Sequence, residues 1–162
     1  MIYNNPTVTA GIDLDSDLIS SLATHPNIVG TKLSSFDYQT SFATIGGKSD
    51  AHLRPLLSSG TGTIPALSTP RYTRYSWNIR RPARLLGEAV ALQEKLSIAD
   101  WAMMKIGAVG GVKAIVAQEF GYGNGEVRVP LREVNLGVVV QSEQGAKWWK
   151  AVEEVLKIEK SL

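Results

Sequence analysis

From Met1 to Pro70 the chain alternates short apolar runs with polar, turn-forming segments. Met1-Ile2-Tyr3 stops at Asn4-Asn5-Pro6, and Ile28-Val29 open a second run that Ser34-Ser35 close. Phe42-Ala43-Thr44-Ile45 and Thr61 to Leu67 supply two more. Short β-branched runs bounded by Gly, Pro, Asn and Ser read as strands. Between the first two, Asp13 or Asp15 can cap a helix by accepting free N–H groups of its first turn. Leu14, Leu18 and Leu22 recur at four-residue spacing as one apolar stripe, and His25-Pro26 ends it. Strand, helix, strand implies a parallel pair. The next connection is anomalous. Only nine residues, Leu33 to Ser41, separate Lys32 from the Phe42 strand, whereas a helical crossover needs about a dozen or more. A loop or single turn is therefore expected, with the two strands still parallel neighbours. Gly46 to Asp50 should turn into a helix with Leu53, Leu56 and Leu57 inward, ended by Gly60.

Beyond Pro70 the pattern becomes helical. Arg84 to Leu96 is rich in helix formers, with Leu85, Leu86, Val90 and Leu92 apolar. Ile98 to Phe120 continues helically, with a break between Gly107 and Gly111, and Gly121 to Gly125 stops it. Lys147 to Lys160 forms a last amphipathic helix with Trp148, Val152 and Leu156 on one face. A chain of 162 residues holds one ordinary core, so the reading is a single domain, strand-rich over 1–70 and helical over 71–162. No internal repeat or low-complexity tract interrupts it.

Composition narrows the function classes. The sequence has 44% apolar and 20% charged residues, as in globular proteins. Without cysteine it has no disulfides, thiolate catalysis or cysteine-bound metal. Two histidines, His25 and His52, lie outside any ligand cluster, so no metal site is expected. No early apolar run resembles a signal peptide, and none reaches about 18 uninterrupted apolar residues, so neither secretion nor a membrane is expected. Arg71, Arg74, Arg80, Arg81 and Arg84 interleave with Tyr72, Tyr75 and Trp77, as single-stranded nucleic acid would require. A net charge of only +2 favours solvated arginines instead, and no nucleic-acid partner is expected. Gly47-Lys48-Ser49 lacks the upstream glycine of a phosphate-binding loop, because position 42 is Phe42. No Gly-x-Ser-x-Gly elbow is present.

The remaining candidate chemistry centres on Lys32, near the end of the second strand. Its stem can cover apolar surface while the ammonium reaches water. Alternatively, a dry pocket would favour the neutral amine, which can attack a ketone and form a Schiff base. Tyr3, near the end of the first strand, is either an amphipathic packing residue or a proton carrier.

Tyr3-Asn4-Asn5-Pro6, a helix, and then Gly30-Thr31-Lys32-Leu33-Ser34-Ser35 resemble the dihydrodipicolinate synthase and N-acetylneuraminate lyase family, the pyruvate-dependent class I aldolases. His25-Pro26-Asn27-Ile28-Val29-Gly30-Thr31-Lys32 most resembles its 4-hydroxy-2-oxoglutarate and 2-keto-3-deoxy-sugar-acid aldolase branch. The resemblance covers only the second half of the family's barrel. It implies an α/β fold, half of a TIM (β/α)₈ barrel, followed by a C-terminal helical segment. It also implies Lys32 as the Schiff-base lysine and Tyr3 as proton relay. Gly47 and Ser49 would lie beside the outer part of the substrate, and Ile64 would form the pyruvate-side wall. The activity implied is reversible aldol cleavage of a 2-keto acid to pyruvate and an aldehyde, without metal or organic cofactor. Val8 and Thr9 stand where dihydrodipicolinate synthases typically carry a carboxylate-holding arginine, which favours the keto-acid aldolases. The alternatives are a catalytically inactive fragment and a repurposed interaction module. Unpaired sheet edges imply self-association or a homo-oligomer, and the expected compartment is cytoplasmic or mitochondrial.

Overall fold

The computed structural model describes residues 1–34, 43–49, 52–53, 57, 60–67 and 83–161. They divide into two compact units, Met1–Gln93 and Glu94–Leu162. The first is built on a four-stranded sheet of β1 (Ile2–Asn4), β2 (Gly30–Leu33), β3 (Ala43–Gly46) and β4 (Gly62–Thr63). Spatial order equals chain order, and all three pairings are parallel. The fold is thus α/β, a partial TIM barrel followed by helices. The Lys32 and Ile45 strands are parallel neighbours as expected. Their connection, Phe42 included, lies outside the described residues.

Helix α1 (Ser16–Leu22) joins β1 to β2. Asp15 starts it, its carboxylate accepting the Leu18 N–H at 2.8 Å. The buried residue is Ile19, 1% exposed, whereas Leu18 and Leu22 of the expected stripe are 45% and 36% exposed. A helix of two turns can present only one narrow face to the sheet, and Ile19 occupies it. Asn4 fixes the preceding loop from the buried end of β1. Its amide donates to Asp13 at 2.7 Å and to the Leu14 carbonyl at 3.0 Å, and its oxygen accepts from the Leu14 N–H.

On β2 the side chains of Thr31 and Leu33 are fully buried, whereas Lys32 on the alternate face is half-buried. Below the sheet ends, Leu53 is buried, but Leu57, expected inward, is exposed. Leu56 lies outside the described residues.

Helix α2 (Ala83–Ile106) runs unbroken past Ser97. Its buried positions include Ala89, Leu96, Ala99, Met103 and Ile106, while Leu86 and Val90 are exposed. The buried face thus mixes small and large side chains. Gly107, with φ 135°, separates α2 from α3 (Ala108–Phe120), and left-handed Gly121 ends α3. The break is one residue wide, since Gly110 and Gly111 continue the helix. A Cβ on Gly110 would run into the Arg132 carbonyl, so its small size permits close backbone approach.

A short α4 (Leu136–Val139), which hydrophobic spacing alone does not reveal, is capped by Asn135. The last helix, α5 (Glu143–Lys160), begins four residues earlier than expected because Ser142 accepts the Gly145 N–H at 3.0 Å. Its buried face contains Val152, Val155 and Leu156. Lys160 pairs with Glu119 of α3 at 2.7 Å, and that hydrogen bond holds the Glu119 carboxyl below its ordinary range. Among the described residues, no helix is long and apolar enough to cross a membrane.

Candidate active site

Because the strands are parallel, their C-terminal ends lie along one edge, where α/β barrels assemble their active sites. Tyr3 of β1, Lys32 of β2, Ile45 of β3 and Gly62 of β4 form one register row across the sheet. Equal register puts Tyr3 and Lys32 on the same face, and their side chains meet. The Lys32 Nζ lies 4.7 Å from the centre of the Tyr3 ring, over its electron-rich face.

Gly47 closes the other side of Lys32. Its N–H donates to the Leu33 carbonyl at 2.8 Å, extending the β2–β3 ladder past the strand ends. A Cβ there would lie 3.0 Å from the Leu33 oxygen, 3.1 Å from Ser34 Oγ and 3.2 Å from Lys32 Cε. A side chain at this position would require these neighbours to give by a few tenths of an ångström.

The Tyr3 hydroxyl is held by polar neighbours. Asn5 Nδ2 donates to it at 2.8 Å, and Thr7 Oγ1 donates to Asn5 Oδ1 at 2.6 Å. The phenol's pKa is lowered, chiefly by the hydrogen bond from Ser34, with burial opposing and with Asn5 and the Lys32 charge assisting. Ser34 is itself positioned by the sheet, its N–H donating to the Asn4 carbonyl at 3.0 Å.

The other two expected residues occupy different environments. Ser49 is fully buried, and its hydroxyl accepts the Leu67 N–H at 3.0 Å. Its carbonyl accepts from Gln93 Nε2 at 2.9 Å, and Gln93 Oε1 in turn accepts the Leu53 N–H at 2.8 Å. Ser49 thus braces the segment after β4. Ile64 is 53% exposed just past β4, its N–H donating to the Gly46 carbonyl at 2.8 Å. His52, also buried, shares a hydrogen with Thr63 Oγ1 through Nδ1 at 2.6 Å, and burial lowers its pKa to about 4.

Among the described residues, Lys32 is half-buried rather than enclosed. Tyr3 is 52% exposed, and β1 and β4 end the sheet without a further strand among the described residues. An open sheet leaves its ligand-side face in contact with water. Among the described residues, no group of three or more His, Asp or Glu is placed to hold a metal ion.

The chain is 34% identical to an L-threo-3-deoxy-hexylosonate aldolase of Hypocrea jecorina, over all of this chain and 55% of that protein. It superposes with a TM-score of 0.72 on a Thermus thermophilus protein of the dihydrodipicolinate synthase type, at 27% identity, covering 98% of this chain and 55% of the other. The chain belongs to the dihydrodipicolinate synthase and N-acetylneuraminate lyase family. Within that family it is also 34% identical to an Emericella nidulans protein assigned to mitochondrial 4-hydroxy-2-oxoglutarate aldolase, over all of this chain and 53% of that protein. No family model matches the chain. The chain spans about half the length of the curated relatives it matches. The first alignment runs over 187 positions against 162 residues, so this relative also carries internal positions that this family member lacks.

Asn5 and Ser34 are the site residues that sequence reasoning did not assign. Both lie inside the quoted family motifs, but only as a strand stop and a strand end. Their reach to one phenol depends on the Pro6 turn and the β1–β2 register, which no residue spacing states.

Proposed function

We propose that this chain carries the Schiff-base half of a pyruvate-dependent aldolase site, acting on a 2-keto acid to release pyruvate and an aldehyde. The observation that carries the reading is the juxtaposition of the Lys32 amine with the Tyr3 ring, with Gly47 clearing space beside the lysine stem. The neutral Lys32 amine attacks the ketone of the keto acid, and loss of water gives an iminium. That cation accepts the electron pair of the bond between the second and third carbons outward, the iminium carbon being the first, as the hydroxyl beyond it loses its proton and the aldehyde departs. The enamine left is protonated on carbon and hydrolysed by water to pyruvate and the free amine. Tyr3 carries protons to and from the bound substrate, its hydroxyl held by Asn5 and Ser34. The Gly47 backbone and Ile64 line the substrate's surroundings, and Ser49 supports them from beneath by holding Leu67. The lysine is its own electron sink, so the reaction as proposed needs no metal or organic cofactor. The compartment proposed is cytoplasmic or mitochondrial.

A second reading, a non-catalytic family remnant, is favoured by the 52% exposure of Tyr3. Exchange of pyruvate methyl protons with deuterated water separates the two readings, because exchange requires the enamine. Aldolase chemistry predicts exchange that is abolished in Lys32→Arg and slowed in Tyr3→Phe. Exchange that is absent, or equal in all three proteins, leaves the remnant.

A further inference from the structure

Asn5 occupies a position whose geometry has a directional consequence for the proton on Tyr3. It lies between buried Asn4 and Pro6, and a residue before proline is held to extended backbone. Its carbonyl is fixed as well, accepting from the Val8 N–H at 3.0 Å and from Thr9 Oγ1 at 3.2 Å. The loop beyond closes on itself through Gly11 N–H to the Pro6 carbonyl at 2.9 Å. The side chain is therefore presented from an anchored backbone. In the orientation present, Oδ1 accepts from the Thr7 hydroxyl at 2.6 Å and Nδ2 faces Tyr3 at 2.8 Å.

An amide nitrogen can only donate. With Nδ2 on the phenol oxygen, Tyr3 cannot pass its own hydrogen toward the loop. Ser34, by contrast, has a hydroxyl that can either donate or accept. The phenol hydrogen is left to Ser34 or to a molecule bound on Lys32.

We propose that Asn5, oriented by Thr7, is a positioning residue that blocks the loop side of the Tyr3 hydroxyl and directs its proton toward Ser34 and the Lys32 side of the site. The proposal deepens the aldolase reading and rests on it for its catalytic meaning, but the hydrogen-bond arrangement stands without it. Other groups facing the phenol are the Lys32 ammonium and the Ser34 hydroxyl, and both remain in every variant below.

The test is the pH titration of Tyr3 itself, followed by ring-carbon NMR and assigned by comparison with Tyr3→Phe. Asn5→Leu removes the donor and should move the Tyr3 titration upward. Asn5→Asp keeps the shape but substitutes an acceptor with negative charge, so the titration should move further upward. Thr7→Val should move it in the same direction by less, and Thr7→Ser, which keeps the hydroxyl, should leave it in place. In parallel, the rate of hydride trapping of pyruvate on Lys32 should fall about 5-fold in Asn5→Leu, the loss expected from one modest hydrogen bond. An unmoved titration in both Asn5 variants overturns the proposal. Movement in the Asn5 variants with none in Thr7→Val overturns the orienting role of Thr7. A moved titration without any pyruvate trapping in the unaltered chain sustains the hydrogen-bond assignment and refutes the aldolase reading instead.

Discussion

At the scale of single residues, two buried polar groups, Ser49 and His52, bond to the segment at and after β4, and one of them sets a pH limit. His52 is buried against Thr63 with its pKa lowered to about 4 by desolvation, against about 6.5 when exposed. Between those values the unfolded chain binds a proton that the folded chain does not, so stability rises with pH across the window. It is lost as pH falls from about 6.5 to about 4, by on the order of 3 kcal/mol. Urea unfolding should therefore show a declining midpoint across that window, and His52→Asn should flatten the decline; an equal slope in both proteins would contradict this. The adjacency of Lys32 and Tyr3 was legible in the sequence, because a lysine and a tyrosine stand at the ends of successive strands inside two distinctive motifs. The sequence left Ser49 and His52 undistinguished, since nothing in a local string says whether a hydroxyl or imidazole faces substrate or core. That distinction depends on Leu67 and Thr63, partners 18 and 11 residues away.

At the scale of elements, the strands were readable and the inward faces of the helices only in part: α5 buries Val152 and Leu156 of its expected face, whereas α1 buries Ile19 and exposes Leu18 and Leu22. β-branched runs closed by Asn, Pro, Gly and Ser mark strands whichever way they pair, and the parallel order follows from the intervening helix. On α2 the buried row mixes Ala89, Ala99 and Ala102 with Leu96, Met103 and Ile106, while Leu86 and Val90 point outward. Caps were legible only where a short polar residue preceded an obvious apolar stripe, as at Asp15; Ser142 and Asn135 precede less regular sequence. Glycines in helices give a paired test. Gly87 on α2 is exposed with open space where a Cβ would go, so Gly87→Ala should stabilise by roughly 0.5–1 kcal/mol. Gly145 on α5 is buried with its Cβ position against the Val139 carbonyl. Gly145→Ala should destabilise by about 1–3 kcal/mol through overpacking. Thermal or urea unfolding reads both; equal effects at the two sites would refute the contact argument.

At the scale of the whole molecule, the chain spans about half the length of its relatives. Its sheet ends at β1 and β4 among the described residues, and unpaired edge groups favour association with another chain. Helix α2 also leaves Ile98, Trp101 and Met104 exposed at 55%, 59% and 59%, an apolar surface that water penalises. Sedimentation of the isolated chain should show concentration-dependent association, and a single monomeric species up to high concentration would oppose this expectation. The half-length itself was legible, since the strand count falls short of a closed barrel; for Lys32 a water-reaching and a dry setting both stayed open, because exposure is a property of the assembled sheet. The central claim is that Lys32, beside Tyr3 and Gly47, still forms a Schiff base. Incubation with pyruvate and a hydride reductant, followed by peptide mass mapping, tests it most directly. Lys32 should be labelled ahead of Lys48, Lys95, Lys105, Lys113, Lys147, Lys150, Lys157 and Lys160, while labelling spread evenly over all nine lysines would contradict the claim.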